Sequence, residues 1–190
     1  SDQILKLINK GFDADIVVRS GCMAKDADMI LSEFILLGIG GKELSEENAA
    51  QTAKALNIIQ PDFIRVHATG IKLESKLGEF VRNGSFALQS EEEIVIEQKL
   101  FLQQLHEMDS YYVNEHIVNL LLEVRGNLRT EKQEMLSTID RFLTLPPDER
   151  LLFTVGRRLN IFFRLDDLKK PKLHQKAGES LQQLLSKNPH

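Results

Sequence analysis

The chain has 190 residues, 42% of them hydrophobic and 27% charged, with 11 Gly, 5 Pro and no Trp, a composition that excludes collagen-like, disordered and disulfide-scaffold classes. Its 24 basic and 28 acidic residues give a net charge of -4, the wrong sign for a protein whose main partner is a phosphate backbone, so nucleic acid is unsupported as a partner. One Cys makes no intramolecular disulfide, and no apolar run approaches the roughly 20 residues of a membrane helix.

Asp2, Asp13 and Asp15 fall where a signal peptide would be apolar, so the chain is expected to be cytoplasmic with no membrane partner. Its start at Ser1 reads as that of a piece cut from something longer. The first third changes hydrophobic period twice, as alternating helices and strands do. Residues 2–10 predict a short helix with Ile4, Leu5 and Ile8 on one stripe, Asp2 capping its start and Gly11 ending it. Residues 13–27 predict a second helix, with Ile16, Val17, Cys22 and Met23 on its buried side. Residues 29–37 are almost continuously apolar, the pattern of a central parallel strand covered on both faces. Ser45 opens a helix through about Ile59, with Glu46 and Glu47 where the helix dipole favours acids. Residues 61–68 alternate Phe63, Arg65 and His67 against Ile64, Val66 and Ala68, as a two-faced strand does. Strand, glycine turn, helix and strand make a βαβ unit with parallel strands. Ligands are then expected at the carboxyl ends of those strands, in residues 38–44 and after Ala68.

Beyond Gly84 the pattern is helical. Ser90 and Glu93 frame a capping box ahead of Ile94, and Thr130 and Gln133 frame a second ahead of Met135. Residues 113–124 predict a helix between them. Pro146-Pro147 breaks the pattern, residues 148–162 resume it, and residues 177–187 carry Leu181, Leu184 and Leu185 on one stripe. The basic run at 169–172 reads as a solvated linker.

Several groups carry chemistry. Gly38-Ile39-Gly40-Gly41-Lys42-Glu43 lets backbone amides approach a ligand or, equally, makes a tight strand-to-helix turn. Cys22 reads as a structural thiol, with a nucleophile as the alternative. The histidines His67, His106, His116, His174 and His190 show no metal-ligand spacing. His67 and Arg65 share a strand face near its carboxyl end, either as ligand contacts or as an inward polar pair. Tyr111, Tyr112, Asn114, His116 and Asn119 form a polar cluster in which Asn114 reads as a helix cap. Arg157 and Arg158 suit an anion or a helix end.

Residues 2–11 (DQILKLINKG), 32–43 (SEFILLGIGGKE), 55–66 (ALNIIQPDFIRV) and 114–121 (NEHIVNLL), with the Gly126 to Leu128 step, resemble the second half of a radical S-adenosylmethionine (SAM) protein of the Fe-S oxidoreductase type. The resemblance implies an α/β fold: the C-terminal half of a (β/α)₆ barrel at residues 1–89, then a mainly helical extension at 90–190. It also implies a parent that binds a [4Fe-4S] cluster through a Cys-x-x-x-Cys-x-x-Cys motif. That parent would cleave SAM reductively to a 5′-deoxyadenosyl radical, which abstracts hydrogen from an unknown substrate. The motif is absent here, so the piece alone is expected to be inactive and to hold neither group. Carried onto this sequence, Lys10 falls where relatives place an Arg on the SAM carboxylate. Ser32 and Phe34 fall where they present a ribose ligand, a role Phe cannot fill. Gly40, Gly41 and Glu43 agree with the end of the family's Gly-x-Ile-x-Gly-x-x-Glu pattern, whose first Gly and Ile are replaced by Leu36 and Gly38. Main-chain groups from Arg65 to His67 would meet the adenine.

Two other readings stand beside this one. The chain could be a non-enzymatic α/β and helical module for a protein partner, or a small hydrolase using Cys22 or His67. A half barrel would leave the strand at 29–37 with an unpaired edge, which a second copy or the chain's own helices are expected to cover.

Overall fold

A computed structural model describes residues 1–187; His190 lies outside the described residues. In order, the elements are α1 (Asp2–Leu7), α2 (Ala14–Asp26), β1 (Ser32–Leu37), α3 (Ser45–Ile59), β2 (Phe63–Ala68), α4 (Lys76–Arg82), α5 (Glu91–Gln104), β3 (Tyr111–Val113), β4 (Gly126–Asn127), α6 (Lys132–Leu143), α7 (Pro147–Arg158), a 3-10 turn (Leu165–Lys169) and α8 (Pro171–Lys187). The fold is mixed α/β. Among the described residues, eight α-helices accompany one open, mostly parallel sheet of four strands in the order β1-β2-β3-β4.

The βαβ unit is present as expected. β1 and β2 pair in parallel from Ser32 opposite Phe63 to Leu37 opposite Ala68. β3 continues the parallel ladder beside Phe63 to Arg65, and β4 closes it antiparallel, with Tyr112 opposite Gly126. Strand order never reverses. With right-handed crossovers, strands added in one direction put every connecting helix on the same face. Ile35, Leu37, Ile64, Val66 and Tyr112 therefore meet α3 and α5, and one hydrophobic core runs on to Phe153, Phe162 and Ala177.

Among the described residues the opposite face has no helical layer, which corrects the expectation that residues 29–37 are covered on both sides. Phe34 is 63% exposed and Leu36 is exposed beside it, while Met29 and Ile30 precede the strand in solvent. Full burial of each such side chain would stabilise by about 1.5–3 kcal/mol, so this face carries an unspent driving force. The outer edge of β1 also has no strand beside it among the described residues; Asn48 Nδ2 donates to one of its carbonyls, that of Leu36, at 2.8 Å.

Several local expectations are corrected. Asp2 does not cap α1; its carboxylate accepts from the Ala14 amide at 2.8 Å, tying α1 to α2. α1 stops at Leu7 because Asn9 already turns left-handed at φ 53°, two residues before Gly11. On α2 the buried residue is Gly21, pressed against Ile59, and Ile16 and Met23 are exposed. Ser90 makes its capping box with Glu93, whereas α6 starts at Lys132 with no side-chain cap from Thr130. α7 ends at Arg158, and α8 begins at Pro171, inside the basic run at 169–172 expected to be a linker. Residues 114–125 form no helix.

The tightest close approach lies in α7, where a Cβ on Gly156 would sit 2.2 Å from the Phe162 ring. Because that ring is buried and stacks on Phe153, Gly156→Ala should destabilise by about 1–3 kcal/mol through overpacking. Urea unfolding checks this, and an unchanged midpoint would mean the ring yields freely.

Candidate functional site

Two polar clamps shape the carboxyl end of the sheet. The first holds the glycine turn after β1. Gly38 and Gly41 adopt left-handed φ values of 81° and 62°, which a side chain would strain. A Cβ at Gly41 would also lie 2.7 Å from the Ala87 carbonyl. Half of the amides at 38–43, those of Gly38, Gly41 and Lys42, are taken up by protein. Gly38 donates to the Glu97 carboxylate at 3.2 and 3.3 Å, and Lys42 to the Ala87 carbonyl at 2.9 Å. Glu97 itself is fully buried on α5 and also accepts from Ser45 Oγ at 3.1 Å and Asn48 Nδ2 at 2.7 Å. Burial pushes its carboxyl above the usual value, against the pull of these donors.

The second clamp ends β2. β3 leaves the ladder at Val113, opposite Arg65, and the Asn119 side chain takes over the pairing. Its Oδ1 accepts from the Ala68 amide and its Nδ2 donates to the Val66 carbonyl, both at 2.7 Å. Asn114 completes this amide pair and donates to the Leu121 carbonyl at 2.6 Å. No helix follows directly on Asn114, so it caps none, and its side chain instead holds the Leu121 carbonyl. From below, the buried Arg157 donates to the carbonyls of Asn119, Leu120 and Phe162 at 2.9 to 3.1 Å. Arg158 meanwhile forks onto Glu91.

Where β3 diverges, a cleft of about 450 Å³ opens, lined by Leu36, Ile39, His67, Thr69, Lys72 and His116 among others. The His67 and His116 rings stack at 4.1 Å, and Phe34 meets His67 edge-on at 5.4 Å. Burial, the neighbouring His116 and the Arg65 charge hold the His67 imidazole below its ordinary pKa, which favours the neutral ring. Thr69 Oγ1 and His116 Nδ1 are buried with no hydrogen-bond partner. Buried polar atoms are normally paired, and both residues line this cleft.

A second groove of about 400 Å³ follows the free edge of β1, between α1 and α3. Lys10 and Ser32 line it, and Leu36 and Ile39 border both spaces. The structure thus gathers Lys10, Ser32, Arg65 and His67 along one continuous surface. Lys10 Nζ lies 5.7 Å from the Phe12 ring, and Ser32 Oγ accepts from Arg65 Nε at 3.0 Å. Gly38, Gly40 and Gly41 are buried in the turn, and Glu43 is exposed beyond it, lining neither space. Cys22 is half-buried on α2, apart from the histidines. Sequence reasoning missed Glu97, hidden in the acidic start of α5, and the role of Asn119; the only signal was an unusual density of Asn near a strand end.

Glu97 has a pH signature. Its raised carboxyl pKa means that the folded state binds the proton more tightly than the unfolded chain. Its contribution is therefore fully present below the ordinary value of 4.5 and is lost as pH rises through the raised value. Urea midpoints of the wild type, compared with those of Glu97→Gln between pH 4 and 7, should show this downward slope only in the wild type; parallel profiles would refute it. Set beside known proteins, the chain matches no family model, no curated protein and no solved structure.

Proposed function

We propose that this chain is the SAM-facing piece of a radical SAM Fe-S oxidoreductase, its open sheet being half of a barrel whose bare face is the interior. The observation that carries the reading is the cleft at the carboxyl end of β2, with its stacked imidazoles and two orphaned polar atoms. A planar heteroaromatic base suits such a platform, and the neighbouring β2 backbone supplies the hydrogen-bonding edge. Ser32 Oγ, which already accepts from Arg65, keeps its own proton to donate to a ribose hydroxyl. Lys10, on the adjoining groove, would meet a carboxylate at a single point.

The donor set does not fit the cluster. The chain has one cysteine, Cys22, against the three thiolates that the resemblance requires, so a [4Fe-4S] cluster needs ligands from outside these residues. What this chain contributes is binding, orientation and a partly desolvated surface.

Titration of the chain with SAM should move the His67 and His116 imidazole resonances, and His116→Ala should weaken binding by about 2- to 10-fold, the worth of one stacking contact. The complete product of the gene, reconstituted anaerobically with iron and sulfide, should release 5′-deoxyadenosine when reduced. A gene product lacking the three-cysteine motif, or one that leaves SAM intact, overturns the reading.

One observation favours a second reading, in which the chain is a non-enzymatic module for a protein partner, including a second copy paired through β1. The edge strand Ser32–Leu37 carries no Lys, Pro or bulge, and Glu33 is its one charge, so it holds few of the devices that usually protect such edges. Sedimentation at rising concentration distinguishes the two. Dimers dissolved by Phe34→Lys support edge pairing, and a monomer throughout excludes the second copy.

A further inference from the structure

Apart from Ser32, Arg65 and His67, the open face of the sheet is apolar and aromatic. Residues 32, 34 and 36 of β1, residues 63, 65 and 67 of β2 and residues 111 and 113 of β3 share it by register. Among these, Arg65 is the only fixed charge, and no carboxylate stands on the face with it. Its guanidinium is nonetheless held in place. Nε donates to Ser32 Oγ at 3.0 Å, and the guanidinium carbon lies 5.9 Å from the centres of both the Phe34 and Phe63 rings. The two terminal nitrogens have no protein partner among the described residues. An Arg that is oriented by packing and anchored through Nε presents its remaining donors as a rigid fork, the geometry that matches an oxyanion with two oxygens. A half-buried guanidinium with unfilled donors is costly unless a counter-charge arrives.

We infer that Arg65 is the receptor for the anionic group of a small substrate, a carboxylate or a phosphate monoester carried on a planar apolar body that lies against Phe34 and Phe63. The charge complementarity selects the anion, and the exposed rings select the body. A flexible Lys at this position would lose both the fork and the stacking. The inference deepens the radical SAM reading by naming the class of its substrate, and rests on that reading only for calling the anion a substrate; the binding stands on these side chains alone.

The test therefore contains no SAM, so that its failure and the failure of the SAM reading are separate events. The full chain is titrated with benzoate, phenyl phosphate and neutral benzamide, following the Arg65 Nε–Hε resonance and the binding isotherm. Both anions should shift the resonance and bind at least about tenfold more tightly than benzamide, and the tighter of the two identifies the group. Arg65→Gln should abolish the preference for anions over benzamide, and Arg65→Lys should weaken it several-fold, each checked against an unchanged unfolding midpoint. Should Arg65→Gln fold poorly, the wild-type resonance decides alone. An unmoved Arg65 resonance, equal binding of benzamide and benzoate, or an anion preference that survives in a folded Arg65→Gln protein would overturn the proposal.

Discussion

The constraint on which the structure depends is that its parallel crossovers lie on one side of the sheet. β1, β2 and β3 are laid down in a single direction, and a right-handed crossover then has no choice of face. α3 and α5 bury Ile64 and Val66 completely, which secures β2 as the centre of the fold. The same rule leaves Phe34, Leu36 and Arg65 without a layer above them. A doubly wound sheet would have covered them by reversing its strand order. Exposure of this face follows from topology, and the chemistry gathered on it is a consequence of which residues alternate there.

The ends of the strands follow a second rule: where backbone pairing runs out, buried side chains complete it. Asn119 offers β2 one donor and one acceptor in the places where β3 would have offered them, and Arg157 satisfies three carbonyls of the irregular segment behind it. Glu97 does the equivalent for the turn after β1. Each of these groups is desolvated, so each is stabilising only while its partners stay in place. The cleft by His67 is thus bounded by rigid polar anchors, and its two unpaired atoms stand out because their neighbours are so fully satisfied.

These two rules divide what was legible in the sequence from what was not. The period-2 alternation at 63–68 placed both faces of β2 correctly, because a half-buried strand writes its environment into every second residue. The capping box at Ser90 was equally local and equally readable. Residues 29–37 were harder, since a continuous apolar run has the same appearance whether its second face meets a helix or nothing. Val113 to Val124 failed for a different reason. Its apolar residues Leu120, Leu121 and Val124 are buried, yet by a loop whose shape comes from tertiary bonds made through Asn119 and Arg157, and no periodicity encodes a bond to a residue 37 or more positions away. Of the candidate site, Arg65 and His67 were visible as alternating strand residues. Glu97 was not, because its meaning depends on Gly38, which the fold brings across 59 positions.

The character of Arg65 shows how the levels connect. Its place on the strand comes from alternation, its exposure from the one-sided topology, and its orientation from Ser32 and two phenylalanine rings. None of these alone separates a solvated surface arginine from a receptor. Together they remove the rotamer freedom that normally makes an exposed ion pair worth little. An arginine that has already lost its freedom in folding holds its fork in position before any ligand arrives, and an incoming anion then has less entropy to overcome. Tethering the guanidinium also explains why the lone charge on this face does not turn away toward the acids elsewhere on the surface, and it is this fixed, uncompensated charge that gives a mostly apolar face a chemical preference.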